Sequence, residues 1–157
     1  MYKTIGVMIL AASALIATGC GSSNGSGSGN ITGTWNATLT DTNGIPVYKF
    51  STMFTQNSDG TLSVTNFTFT TAGPCFSPYS SDQYSETGSF GLTGNFNGQV
   101  NGTFGMTVTT LFPATTTNNN VLTLQGTVTG GTITGTWKAT GFSSGCSGNG
   151  NFTATAG

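Results

Sequence analysis

The sequence predicts an all-β protein: an eight-stranded antiparallel up-and-down meander barrel, with a β-sandwich as the alternative. Three observations lead there. From Ile31 onward, apolar and polar residues alternate with a period of two, the pattern of a strand with one buried face. Short dipeptides that accept positive φ, Asp59-Gly60, Asn97-Gly98 and Gly130-Gly131, separate the alternating runs. A hairpin unit also recurs: Leu92, Gly94, Phe96, Gly98, Val100, Gly102, Thr103 and Phe104 match Leu124, Gly126, Val128, Gly130, Ile133, Gly135, Thr136 and Trp137.

Taken in order, the first strand is expected over Ile31–Thr40. Ile31, Gly33, Trp35, Ala37 and Leu39 share one face, and Thr32, Thr34, Asn36, Thr38 and Thr40 the other. The second is Val47–Gln56, after a loop holding the turn signal Asn43-Gly44. The third, Thr61–Thr70, changes phase: Leu62 and Val64 have one parity and Phe67 and Phe69 the other, which predicts a bulge near Thr65-Asn66. Ser85–Phe96 and Gln99–Leu111 form the next hairpin, and Asn120–Thr129 with Thr132–Phe142 its repeat. Gly148–Thr155 is the last strand.

Gly33, Gly102, Gly126 and Gly135 fall on the inward parity, where small residues allow the sharp coiling that barrel closure demands. Closure also removes free edges, which this chain has few charges to protect. The outward parity is mostly Thr, Ser and Asn. That opposes an outer-membrane barrel, whose exterior is apolar. In a meander, the loops Asp41–Pro46, Thr71–Tyr84, Phe112–Asn119 and Ser143–Ser147 share one end. The tight turns share the other end with the start of the first strand.

Ile31-Thr32-Gly33-Thr34-Trp35 followed by a meander resembles the first strand of avidin-type barrels and, more loosely, lipocalins. In the avidin family, biotin is caged by several tryptophans and by a polar residue two after the first. Here that position is Ala37 and the chain has 2 Trp. The resemblance therefore implies the fold and not the ligand, and Trp35 and Trp137 are expected in the core.

The N-terminus has a separate logic. Met1-Tyr2-Lys3, the mainly apolar and small residues Thr4–Thr18, and Gly19-Cys20 have the layout of a secretory signal peptide. The apolar run from Ile5 to Ala17 is too short to cross a bilayer as a helix. Ala17-Thr18-Gly19-Cys20 resembles the lipobox of bacterial lipoproteins, with Ala17 where Leu is commoner. That resemblance implies cleavage before Cys20 and a lipid on it; Gly21 after the cysteine suits the outer membrane. The expected organisation is signal peptide 1–19, lipidated Cys20 with a Gly/Ser tether to residue 30, and one barrel domain over 31–157. A flexible tether of that length spans roughly 17 Å.

Charge is sparse. Past the signal, Lys49 and Lys138 face Asp41, Asp59, Asp82 and Glu86, with no Arg and no His. This excludes a basic nucleic-acid surface and binding to anionic headgroups by charge. Without His, no Ser-His-Asp or Cys-His arrangement forms, so the chain is not expected to be an enzyme. With Cys20 lipidated, Cys75 and Cys146 remain as the possible disulfide pair, both in the long-loop set; two free thiols are the alternative. The bond would close a loop of about 70 residues, worth roughly 4 kcal/mol on the chain-entropy model.

The remaining candidates are weighed against plain structural roles. Asp82 and Glu86 could pair as glycosidase carboxylates or be solvated loop charges. Asp41-Thr42-Asn43-Gly44 resembles a fragment of a calcium loop or is simply a turn. No metal site and no cofactor are expected. Phe76, Tyr79 and Tyr84 crowd the Cys75 loop. They either form a ligand mouth for an apolar or carbohydrate molecule or cap the core. Two functional readings follow: a lipid-anchored small-ligand barrel, or an envelope-interaction protein that uses its Thr/Asn surface.

Overall fold

The computed structural model describes residues 29–70, 76, 84–96, 99–111, 120–141 and 146–157. Eight strands follow one another: β1 (Gly33–Asp41), β2 (Pro46–Gln56), β3 (Thr61–Phe69), β4 (Tyr84–Phe96), β5 (Gln99–Thr110), β6 (Val121–Thr129), β7 (Thr132–Thr140) and β8 (Gly148–Ala156). Each pairs antiparallel with its neighbours in sequence, and β8 returns to β1, giving a closed up-and-down barrel. The strands differ from the sequence expectation by one or two residues at their ends. Ile31 shows why. It lies outside β1, yet it is buried beneath the barrel, where its carbonyl accepts the Trp35 indole N–H at 2.9 Å. Phe142, expected at the end of β7, lies outside the described residues.

The alternation sets the core. Inward residues from every strand form one cluster, including Trp35, Leu39, Tyr48, Phe50, Phe54, Phe69, Val108, Leu124, Ile133, Trp137 and Phe152. Aromatic rings fill two levels. At the tight-turn end Phe54 packs on Phe104 at 5.6 Å and Phe104 on Phe152 at 6.1 Å. At the long-loop end Tyr48, Phe69, Phe76, Tyr84 and Trp137 meet, mostly edge to face, the favoured arrangement for such rings.

The bulge expected near Thr65-Asn66 is there. Ser51 pairs with Thr68 and Met53 with Thr65, so Asn66-Phe67 form the long side of the irregularity opposite Thr52. Asn66 takes φ 53°, a region Asn tolerates, and the Thr52 hydroxyl donates to the Thr65 carbonyl at 3.1 Å. The bulge brings Phe67 and Phe69 inward after Leu62. Gly44 and Gly60 take the positive φ that their turns require.

Closure rests on glycine and one tryptophan. β1 pairs with β8 from Trp35–Ala156 to Asp41–Gly150. A Cβ on Gly150 would collide with the Thr40 backbone. Trp137 pairs with Gly150 in the β7–β8 ladder, and its ring lies over Gly148, 3.1 Å from where a Cβ would stand. From there its indole N–H crosses β8 and donates to the Thr40 carbonyl on β1 at 2.7 Å. The inward pair Gly126–Gly135 is equally tight: a Cβ on either would strike the neighbouring strand's backbone.

Gly150→Ala should therefore lower stability by about 1–3 kcal/mol in urea unfolding, through overpacking at the closing ladder. Gly131→Ala, where nothing lies within 4 Å of the added atom, should stay within about 0.5 kcal/mol.

Candidate functional site

The long-loop end gathers most of the residues singled out from sequence. Phe76 is 1 % exposed and Tyr84 7 % exposed. Phe76 stacks on Phe69 at 5.0 Å and meets Tyr48 edge-on at 5.6 Å; Tyr84 meets Phe69 at 5.5 Å. These two rings cap the barrel instead of standing open to solvent, because the adjoining inward positions are themselves aromatic. Tyr79, the third of the set, lies outside the described residues, as do Cys20, Cys75 and Asp82.

Cys146 is buried at the same end. Its Cβ is 2.6 Å from where a Cβ on Gly141 would stand, and the Asn120 side chain crowds the same point, so only glycine fits there. Asn120 closes the β5–β6 ladder: its amide donates to the Thr110 hydroxyl at 2.9 Å, and its carbonyl accepts from the Thr110 amide at 3.0 Å.

The acids separate by role. The Asp41 carboxylate accepts from the amides of Ile45 at 2.8 Å and Asn43 at 2.9 Å. The Ile45 bond does most to hold its pKa below the ordinary range. It is a loop cap, and among the described residues no group of three or more His, Cys, Asp or Glu converges that could hold a metal. Asp59 accepts from the hydroxyl of Thr61 at 2.7 Å and from its amide at 2.9 Å, and the hydroxyl bond leads the lowering of its pKa.

Glu86 is different, and sequence did not single out its orientation. It sits on the inward parity of β4 between Tyr84 and Gly88, opposite Val108 on β5. Its Oε1 is shut off from solvent and has no hydrogen-bond partner. Desolvation pushes its pKa up; its own backbone N–H acts in the opposite sense without offsetting this. The wall beside it is the thinnest in the barrel. β3 and β4 pair only at Thr61–Ser89 and Leu62–Gly88, and beyond that point Phe67 and Tyr84 meet through their rings at 5.9 Å.

The outer wall carries a pattern visible only once the registers are known. Thr103, Thr127, Thr134, Thr153 and Thr38 face one another in a row across β5, β6, β7, β8 and β1. The next row reads Asn101, Thr129, Thr132, Thr155 and Asn36. Neighbouring strands stand about 4.8 Å apart, and same-face residues along a strand about 6.7 Å, so the wall is a regular grid of hydroxyls, methyls and amides. Two shallow clefts lie on it. One, of about 270 Å³, crosses β4–β6; the other, of about 490 Å³, crosses β6–β8.

Compared with known proteins, the chain matches no family model, no curated protein and no solved structure. Trp35 and Trp137 are 4 % exposed, packed in the core with their indole N–H groups bonded to backbone.

A folded-state pKa raised above the unfolded value contributes stability that is intact at low pH and is lost as pH rises through the raised value. Glu86→Gln should therefore raise the neutral-pH melting temperature by about 3 °C, removing an unsatisfied anion. The gain should vanish below the ordinary carboxylate range. Equal gains at every pH would show that the carboxyl does not titrate with unfolding.

Proposed function

We propose that this chain is a lipid-anchored extracytoplasmic barrel that works as a contact module in the bacterial envelope, using an outer wall that is polar and sparsely charged, with Lys49 and Lys138 its outward cations among the described residues. The observation that carries the reading is the alignment of Thr103, Thr127, Thr134, Thr153 and Thr38 into one row across adjacent strands. The alternative, a small ligand held at the long-loop mouth, is disfavoured by the burial of Phe76 and Tyr84 among the core rings. An enzymatic role has no His to serve it. Its carboxylates are dispersed, two of them committed to turns.

Anchorage follows from the lipobox-like Ala17–Cys20 and the Gly/Ser tether after it. The tether enters at the tight-turn end, so the long-loop end and much of the wall point away from the membrane. A Cys75–Cys146 disulfide fits an oxidising compartment. It is supported by the burial of Cys146 at the long-loop end of the barrel. The pairing would tether the chain beside Phe76, holding that ring in its cap. The outward Thr, Ser and Asn suit water rather than lipid around the barrel.

Two measurements test this. Protein from its native membrane should have an intact mass lacking residues 1–19, with acyl chains added and two hydrogens fewer before reduction than after. An unlipidated mass with free thiols removes the anchor and the disulfide together. For the contact role, the Cys20→Ser chain should cosediment with delipidated envelope fragments. Thr134→Glu with Thr153→Glu should weaken that about tenfold; sedimentation unchanged by the pair would refute the wall as the contact surface.

A further inference from the structure

The two outer-wall clefts are neighbours. They meet at Gln125, and one register row, Ser89, Gly105, Gln125, Thr136 and Asn151, runs through both across β4, β5, β6, β7 and β8, which makes the track. At about 4.8 Å between strands, its length is roughly 19 Å. Its floor has a physical origin. Gly105, an outward position, carries no side chain; it stands between Ser89 on β4 and Gln125 on β6. Farther along, the Gly126–Gly135 pair draws β6 and β7 into a sharp coil, and the outward side chains on either side form the banks.

From this we infer that the track binds a segment of a linear neutral polysaccharide. The inference rests on the contact reading above and names its partner. The lining is Ser89, Thr107, Gln125, Thr136 and Asn151 with their threonine neighbours, and it holds no charged residue. Hydroxyls and amides both donate and accept, which matches the alternating donors and acceptors of a sugar chain, while threonine methyls offer apolar contact to ring C–H groups. Other partners fit less well. A nucleic acid or an anionic glycan needs a run of cations; the lining has none, and a single lysine, Lys138, borders it across from Thr123. A protein partner is usually gripped by aromatic or arginine anchors; the one aromatic residue in the lining, Phe152, is buried in the core and offers no ring to the surface. A length of roughly 19 Å, measured around the curved wall over an open floor, suits a chain that follows that curve better than a compact ligand.

The test is affinity electrophoresis of the full lipidated protein in a polyoxyethylene detergent, through native gels holding a soluble β-glucan, a mannan, a galactan or a polyuronate. At least one neutral polysaccharide should retard the protein. Gln125→Ala with Asn151→Ala should weaken that retardation about tenfold, as expected for two lost hydrogen bonds. Both residues are exposed, so the fold should survive, and an unchanged far-ultraviolet spectrum and melting curve check it. Thr68→Ala, on β3 outside the track, should leave retardation unchanged. No retardation by any neutral polysaccharide overturns the inference. So does retardation indifferent to the double substitution, or equal retardation by the polyuronate. If envelope sedimentation still depends on Thr134 and Thr153 while no polysaccharide binds, the glycan inference falls and the contact reading stands. If both fail, both fall.

Discussion

The β1–β8 ladder is the interaction on which the rest depends, because it turns a meander into a ring. Without it, β1 and β8 would each expose an edge rich in Thr and almost free of charge, the kind of strand that pairs with other molecules. The ladder exists because β8 places glycines where β7 places tryptophan. Gly150 lets the β1 backbone approach; Gly148 lets the Trp137 ring lie flat across β8; the indole then bonds the Thr40 carbonyl. One side chain thus ties β7 to β1 across the strand between them. The aromatic core follows from the ring, since only a closed sheet brings Tyr48 on β2 within 5.7 Å of Trp137 on β7.

Opposite this tight closure lies the β3–β4 seam, where ring contacts take the place of a ladder. The bulge at Asn66 puts Phe67 and Phe69 inward, and Tyr84 and Phe76 pack onto them. Glu86 faces inward next to this seam with an unsatisfied oxygen. A partly desolvated carboxyl of that kind is a local cost in a chain that otherwise keeps its charges in turns or on the surface. Its raised pKa couples this side of the barrel to pH.

The outside is built on a different principle. With 4 % charged residues, the protein cannot rely on charge for partner choice, and its surface is organised by register instead. Antiparallel pairing aligns outward residues of adjacent strands, so the compositional bias to threonine becomes rows. Outward Gly105 floors one cleft, and the close inward pair Gly126–Gly135 lies behind the other.

Alternation, turn dipeptides and the hairpin repeat were enough to read the eight strands, the bulge near Asn66 and the end to which Phe76, Tyr84 and Cys146 belong, because each depends on local spacing. That Trp35 and Trp137 are core residues was legible for the same reason. The direction of Glu86 was already in its parity with Tyr84 and Gly88, but nothing local says that its oxygen lacks a partner, since that depends on Val108 and on the thin β3 seam. Where the Phe76 and Tyr84 rings pack was likewise a tertiary matter, decided by Phe69 and Tyr48 reaching them from other strands. The threonine rows and the track through Gln125 needed the registers of five strands at once. Sequence fixes which residues face outward; only pairing decides which of them stand side by side.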